Sequence, residues 1–239
     1  MTERFEPADF KRVTRRELLK LSPLAGAVVL AVPSLRDSLI EHGLAFSDWA
    51  TEKLFRRRHL APTYPASALT PLSRFEYNTY DTDEPDIDFD HWALEVSGLV
   101  SKPGNYTLDA IRRLPKISQN TRHVCIEGWD VIANFAGTRL SDFLGSIGAD
   151  PTARFVYVEC ADGYYESLDR ETAYHPQSLL CYEMYGQPLE RGHGAPLRLG
   201  LPTKIGYKSA KYLTKLQVTN VLARRSYWAD QGYSWYAGL

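Results

Sequence analysis

The chain has 239 residues, 44% of them hydrophobic, and its 28 Lys and Arg nearly balance 29 Asp and Glu for a formal net charge of -1. Even without its first 35 residues, that length is ample for a buried core in one large domain or two small ones. The charge balance excludes the electrostatic footprint of a nucleic-acid binder, and cysteines at 125, 160 and 181 make no C-x-x-C or zinc-ligand spacing.

In chain order, the first signal is "TRRELLKLSPLAGAVVLAVPS" at 14–34, in which Arg15 and Arg16 precede an apolar run from Leu21 to Val32. A membrane-spanning helix needs about 20 apolar residues, so this run is short for a span. It fits a twin-arginine export leader over residues 1–35, a route to the periplasm that carries proteins already folded. The ordinary alternative is an N-terminal amphipathic helix with solvated arginines. No clean A-x-A cleavage site follows, so an uncleaved leader acting as a membrane tether is a second form of the same expectation. Residues 36–74 contain "APTYPASALTPLS" and read as a linker or extended arm.

A folded domain is expected over 75–239. "HWALEVSGLV" alternates Trp92, Leu94 and Val96 against Ala93, Glu95 and Ser97, the period of a half-buried strand. "TLDAIRRL" predicts a short helix with Thr107 as N-cap. "RLSDFLGSIG" sets Leu140, Phe143, Leu144 and Ile147 at helical spacing, with Gly148 just past the end. "RFVYVECADG" puts Val156, Val158 and Cys160 on one strand face, "APLRLGLP" sets Leu197, Leu199 and Leu201 against Arg198, and "KYLTKLQVTNV" is a last strand. Short strands, long loops and few helices indicate an α+β or mostly β domain and exclude a doubly wound parallel sheet.

Two stretches could carry chemistry. In "TRHVCIEGWDVIANFAGTRLSDFL", Cys125 stands between Arg122-His123 and Glu127-Gly128-Trp129. Neighbouring positive charge would stabilise its thiolate, the form that attacks electrophiles or binds soft metals. A buried, inert thiol and a cysteine hydrolase with His123 as base are the alternatives. In "YEMYGQPLERGHGAPLRLGLPTKIGYKSAKYL", glycines permit close backbone approach, while His193, Arg198, Lys208, Ser209 and Lys211 supply donors suited to a phosphate-sized anion. Neither the P-loop nor the dinucleotide pattern is present, and a Gly/Pro-rich hairpin with solvated lysines is the plain alternative.

Over about residues 70 to 222 these paired segments resemble the sulfite oxidase superfamily of molybdopterin enzymes, and within it the exported bacterial branch that includes the catalytic subunit of periplasmic methionine-sulfoxide reductase. The resemblance implies an α+β, sulfite oxidase-type catalytic domain with mixed sheets and a molybdenum-molybdopterin cofactor. It makes Cys125 the catalytic thiolate ligand of the metal and places Asn78 near it, with Asp81 and Thr82 close to the pterin. His193, where the exported relatives have Asn, and Arg198 fall at positions that hold the pterin phosphate and ring. Ser209, Ala210 and Lys211 add backbone amides and a lysine charge, and Cys160 stands where a relative has a pterin-contacting threonine. Cofactor insertion before export also accounts for the twin-arginine leader and its translocation machinery.

The implied reaction is two-electron oxygen transfer on a small-molecule substrate. Electrons would come from a separate protein, a cytochrome or membrane haem protein, since no C-x-x-C-H haem site is present. Sulfite oxidases gather their dianion with basic residues after the cysteine. Here Glu127 and Asp130 follow instead, and Asn134 stands where a substrate-binding arginine would align. A carboxylate beside the metal disfavours an anion, so reduction of an S-oxide or N-oxide is the favoured expectation. A sulfite-oxidising enzyme and a metal-free binding protein of the same fold are the alternatives. The short stretch after "QVTNV" leads us to expect no C-terminal dimerisation domain and hence a monomer. A Cys160–Cys181 disulfide depends on geometry that sequence does not contain.

Overall fold

The structure is a computed structural model that describes residues 42, 43, 46, 59–79 and 84–239. The twin-arginine segment, Asp81 and Thr82 lie outside the described residues. In chain order the strands and α-helices are β1 (Ala93–Gly98), β2 (Gly104–Thr107), α1 (Leu108–Arg112), β3 (Lys116–Val124), β4 (Asp130–Arg139), α2 (Leu140–Ser146), β5 (Phe155–Cys160), β6 (Tyr165–Asp169), α3 (Arg170–Ala173), β7 (Leu179–Met184), β8 (Gln187–Pro188), β9 (Arg198–Gly200) and β10 (Leu213–Thr219).

They form two sheets, the first mixed and the second antiparallel, in keeping with the α+β expectation. The first runs β2-β1-β10-β5-β6, with β1 parallel to β10 and the other neighbours antiparallel. In the second, β3, β4 and β7 pair in that order, and β8 and β9 share the far edge of β7. The period-2 patterns place the core: Leu94 and Val96 of β1, Val156, Val158 and Cys160 of β5, and Leu216 and Val218 of β10 turn inward, with Leu213 joining them across a register shift in β10. Burying each such side chain contributes roughly 1.5–3 kcal/mol.

The two helices read from the sequence close this core. Thr107 Oγ1 accepts from the Ala110 amide at 3.2 Å, capping α1, whose Ile111 is fully buried. From α2, Leu140, Phe143 and Leu144 enter the same cluster, and Gly148 ends the helix at φ +63°, a left-handed conformation that costs glycine little.

Residues 61–70 lie along the second sheet. Thr63 bridges Thr121, Tyr64 donates to Asn120 O at 3.0 Å, and Thr70 donates to Ile132 O at 2.9 Å. The thiols of Cys160 and Cys181 are both free and buried, so the disulfide does not form.

Candidate active site

A cavity of about 260 Å³ opens among the β3–β4 hairpin, the segment 75–79, the loop around His193 and the segment 206–211, with Asp162, Tyr164, Arg198 and Trp228 completing its wall. The hairpin presents Cys125 at its turn, where the Cys125 amide donates to Trp129 O at 2.9 Å and Gly128 donates back to Cys125 O at 3.2 Å. Around the thiol, Asn78 Nδ2 stands 3.7 Å from Cys125 Sγ, and Glu127 Oε2 stands 3.8 Å from it. Glu127 Oε2 also accepts from Asn78 Nδ2 at 2.7 Å and from Trp129 Nε1 at 3.1 Å. These two donors, Asn78 first, hold its carboxyl below the usual range, so at neutral pH a carboxylate faces the thiol.

The expected cationic activation of Cys125 is absent. Arg122 turns outward and grips Asp130 with two bonds of 2.7 and 2.9 Å. His123 lies among Phe75, Trp129 and Phe135, and burial, with Arg198 next, pushes its pKa down to about 3. Burial, joined by the charge of Glu127, raises the Cys125 thiol above its ordinary value. The reasons differ: Arg122 is taken up by Asp130 at the surface, whereas His123 lines the same cavity as Cys125 but is kept neutral by burial. A thiolate here needs a cation from outside the chain, and a soft metal ion is one. The hydrolase alternative loses its base, because a histidine neutral down to about pH 3 accepts protons poorly.

The opposite part of the cavity is cationic. Arg198 is buried on β9, with Leu197, Leu199 and Leu201 turned into the core as their alternation predicts. Among the described residues its guanidinium donates only to carbonyls, His193 O at 2.8 Å, Ser209 O at 3.2 Å and Leu199 O at 3.2 Å. Burial lowers its pKa to about 10. Half-buried Lys211 likewise donates to Asn78 O at 2.8 Å and Gly192 O at 2.9 Å, and burial, with Arg198 next, lowers it to about 8. Neither cation has a carboxylate within salt-bridge distance among the described residues. His193 is buried, its Nδ1 has no partner among the described residues, and burial holds its pKa near 4. Desolvated cations without counter-ions are expensive, and an anionic ligand would offset them.

Asn78, Cys125, His193, Arg198, Ser209, Ala210 and Lys211 therefore meet in one cavity. Cys160 does not line it and packs in the core instead, whereas Asp162 and Tyr164 two and four positions on do line it, with no motif in the sequence to signal them. Lys208 turns away to pair with Glu166. Asn134 bonds Ser118 and Asn120 in a separate groove, and Asp130 is engaged by Arg122, so of the three residues weighed for substrate charge only Glu127 faces the thiol.

Among the described residues no three His, Cys, Asp or Glu side chains converge as a metal-ligand group. One cysteine facing a cationic, backbone-rich cradle suits a metal that arrives in an anionic organic carrier, and so defines a class of protein: one that holds a large metal-bearing cofactor. The sequence matches the family described as oxidoreductase molybdopterin binding domain over residues 81–228, and the chain belongs to that family. It is 41% identical to "Putative protein-methionine-sulfoxide reductase subunit YedZ1" of Azospira oryzae, over 91% of this chain and 82% of that one. It is 26% identical to the protein-methionine-sulfoxide reductase catalytic subunit MsrP of Pseudomonas syringae pv. tomato, over 95% of this chain and 78% of that one. The sulfane dehydrogenase SoxCD from Paracoccus pantotrophus shares the fold, with a TM-score of 0.55 and 21% identity over 59% of this chain and 41% of that one. The protein is a molybdenum oxidoreductase with a molybdenum-molybdopterin cofactor.

Proposed function

We propose that this chain reduces S-oxides, methionine sulfoxide foremost, at a molybdenum ligated by Cys125. The observation that carries this reading is the Glu127 carboxylate 3.8 Å from the Cys125 thiol, where a sulfite-oxidising site would need positive charge. A fixed negative charge raises the energy of an approaching dianion and leaves a neutral sulfoxide unaffected. The names of the two relatives, both subunits of protein-methionine-sulfoxide reductase, support the same substrate class.

When bound, the cofactor supplies two-electron redox chemistry and an exchangeable oxygen. The residues of this chain do the rest. Cys125 would offer one soft ligand, and Arg198, Lys211 and His193, whose Nδ1 has no partner among the described residues, would hold the anionic pterin. Glu127 fixes Asn78 and the Trp129 indole around the thiol. The reaction consumes two electrons and two protons: the sulfur–oxygen bond of the sulfoxide breaks, the sulfur leaves as a thioether and the oxygen leaves as water. The electrons come from a separate haem protein, a partner in keeping with the word "subunit" in both names. Export by the twin-arginine route, supported by Arg15-Arg16 and the apolar run after them, puts the reaction in the periplasm.

The test is metal analysis and turnover of protein made in a host that synthesises the cofactor, comparing the native chain with Cys125→Ser. Stoichiometric molybdenum is expected in the native protein, with methionine sulfoxide reduced from an artificial electron donor. In the variant, activity falls by more than about 100-fold, beyond the loss caused by removing a ligand's supporting partner. Equal turnover of sulfite and sulfoxide, or a folded native chain without molybdenum, would refute the reading.

A further inference from the structure

The family match ends at residue 228, yet the residues that follow are tied to the cofactor cavity. The connection runs through the segment Thr203–Lys211, whose front lines the cavity with Gly206, Tyr207, Ser209, Ala210 and Lys211. Its back is bound to the segment Ser234–Leu239. Lys204, itself buried, donates through Nζ to Tyr236 O at 2.9 Å and sits 3.0 Å from the centre of the Tyr236 ring. Ile205 donates to Ala237 O at 2.9 Å, Leu239 donates to Thr203 O at 3.1 Å, and the Tyr207 hydroxyl donates to Ser234 O at 2.6 Å. Trp235 Nε1 donates to Ser167 Oγ at 2.7 Å, and the carbonyl of Ser167 accepts from Lys208 Nζ at 2.8 Å. Ala237 is held at φ +48°, a left-handed conformation that a non-glycine residue adopts at a cost and that only surrounding contacts maintain.

The front of the segment has no slack to absorb a shift. A Cβ on Gly206 would lie 2.8 Å from His123 Nε2 and 2.9 Å from Val124 O, so the backbone there is pressed against the hairpin that carries Cys125. The Ser209 carbonyl accepts from Arg198, and the Ser209 hydroxyl accepts from the Leu201 amide at 3.2 Å. A displacement on the back of the segment is thus passed to residues at the cavity wall.

We propose that Ser234–Leu239 is a brace that sets the position of the cofactor-holding segment, with Lys204 as its positioning residue. This rests on the reading that Ser209, Ala210 and Lys211 hold the cofactor. The brace touches neither metal nor substrate; it slows cofactor release by keeping the cradle in register.

The experiment measures release of molybdenum and pterin fluorescence from purified holoenzyme, with melting temperature recorded alongside. Lys204→Met removes the donor and the charge over Tyr236, and release is expected to quicken about tenfold, the scale of losing a supporting partner. Lys204→Arg keeps donor and charge and returns release close to native. Val156→Ala, in the core of the first sheet, lowers the melting temperature without this acceleration, which separates positioning from general destabilisation. Should Lys204→Met fail to fold, Tyr207→Phe removes one brace bond and gives a smaller acceleration in the same direction. A loaded native enzyme whose variants release cofactor at the native rate, or no faster than Val156→Ala at matched melting temperature, overturns the brace alone. A metal-free native chain overturns the functional reading and the brace with it.

Discussion

Lys208 and Lys211 stand three positions apart in "KSAK" and do opposite things. Lys208 is buried behind the cavity and meets Glu166 Oε1 at 2.6 Å and Ser167 O at 2.8 Å. Lys211 points to the cavity side, with carbonyls for partners and no carboxylate within salt-bridge distance among the described residues. The first is a charge satisfied inside the fold. The second, like Arg198 beside it, donates to carbonyls and has no direct ion pair among the described residues, although the Asp162 carboxyl in the same cavity acts on Lys211 from a distance. A cation that the fold leaves without a direct ion pair marks where an anion belongs, and that distinction separates a structural lysine from a ligand-holding one.

Breaking the pair behind the cavity gives the largest effect. Lys208→Met strands the Glu166 carboxyl at zero exposure, and stability should fall by about 3–5 kcal/mol in chemical denaturation. A loss under about 1 kcal/mol would mean that the pair contributes no more than a surface ion pair. Lys211→Met should do the reverse. Cofactor-free protein loses no stability below about pH 8, where removing a desolvated charge offsets the lost hydrogen bonds, whereas the holoenzyme loses pterin about tenfold faster. Equal retention by Lys211→Met and the native chain would remove Lys211 from the cradle.

The sequence could not have separated these lysines, because the difference is made by a partner 42 positions away from Lys208. Local features were readable. The alternation of Val156, Val158 and Cys160, the Thr107 cap and the stop at Gly148 follow from periodicity and cap chemistry over a few residues. Most of the cavity was also legible through the resemblance, since Cys125 and the residues from His193 to Lys211 sit in two quotable segments. What failed were inferences from adjacency. Arg122 and His123 flank Cys125 in the chain, but one is taken by Asp130 and the other is neutral in an aromatic nest. Asn134, aligned by sequence with a substrate-binding position, lies in another groove. The brace gave no signal at all, because it depends on pairing between Thr203–Tyr207 and Ser234–Leu239 that no periodicity encodes.

The smallest effect gives the most specific check on the comparison, because it carries a sign. Burial, with Arg198 second, holds the Lys211 amine near 8 in the cofactor-free protein, below the ordinary lysine value of about 10.4. Between those two values the unfolded chain binds more protons than the folded one, so stability rises as pH climbs through that window. Lys211→Met lacks the titrating amine, and the difference between native and variant denaturation midpoints should therefore widen in favour of the native protein from about pH 8 to about pH 10. In the holoenzyme a phosphate beside Lys211 favours its charged form, and the widening should disappear. Native and variant midpoints that run parallel in the cofactor-free protein would show that Lys211 is no more burdened than a solvated lysine. A widening that persisted unchanged after loading would show that the anion binds elsewhere.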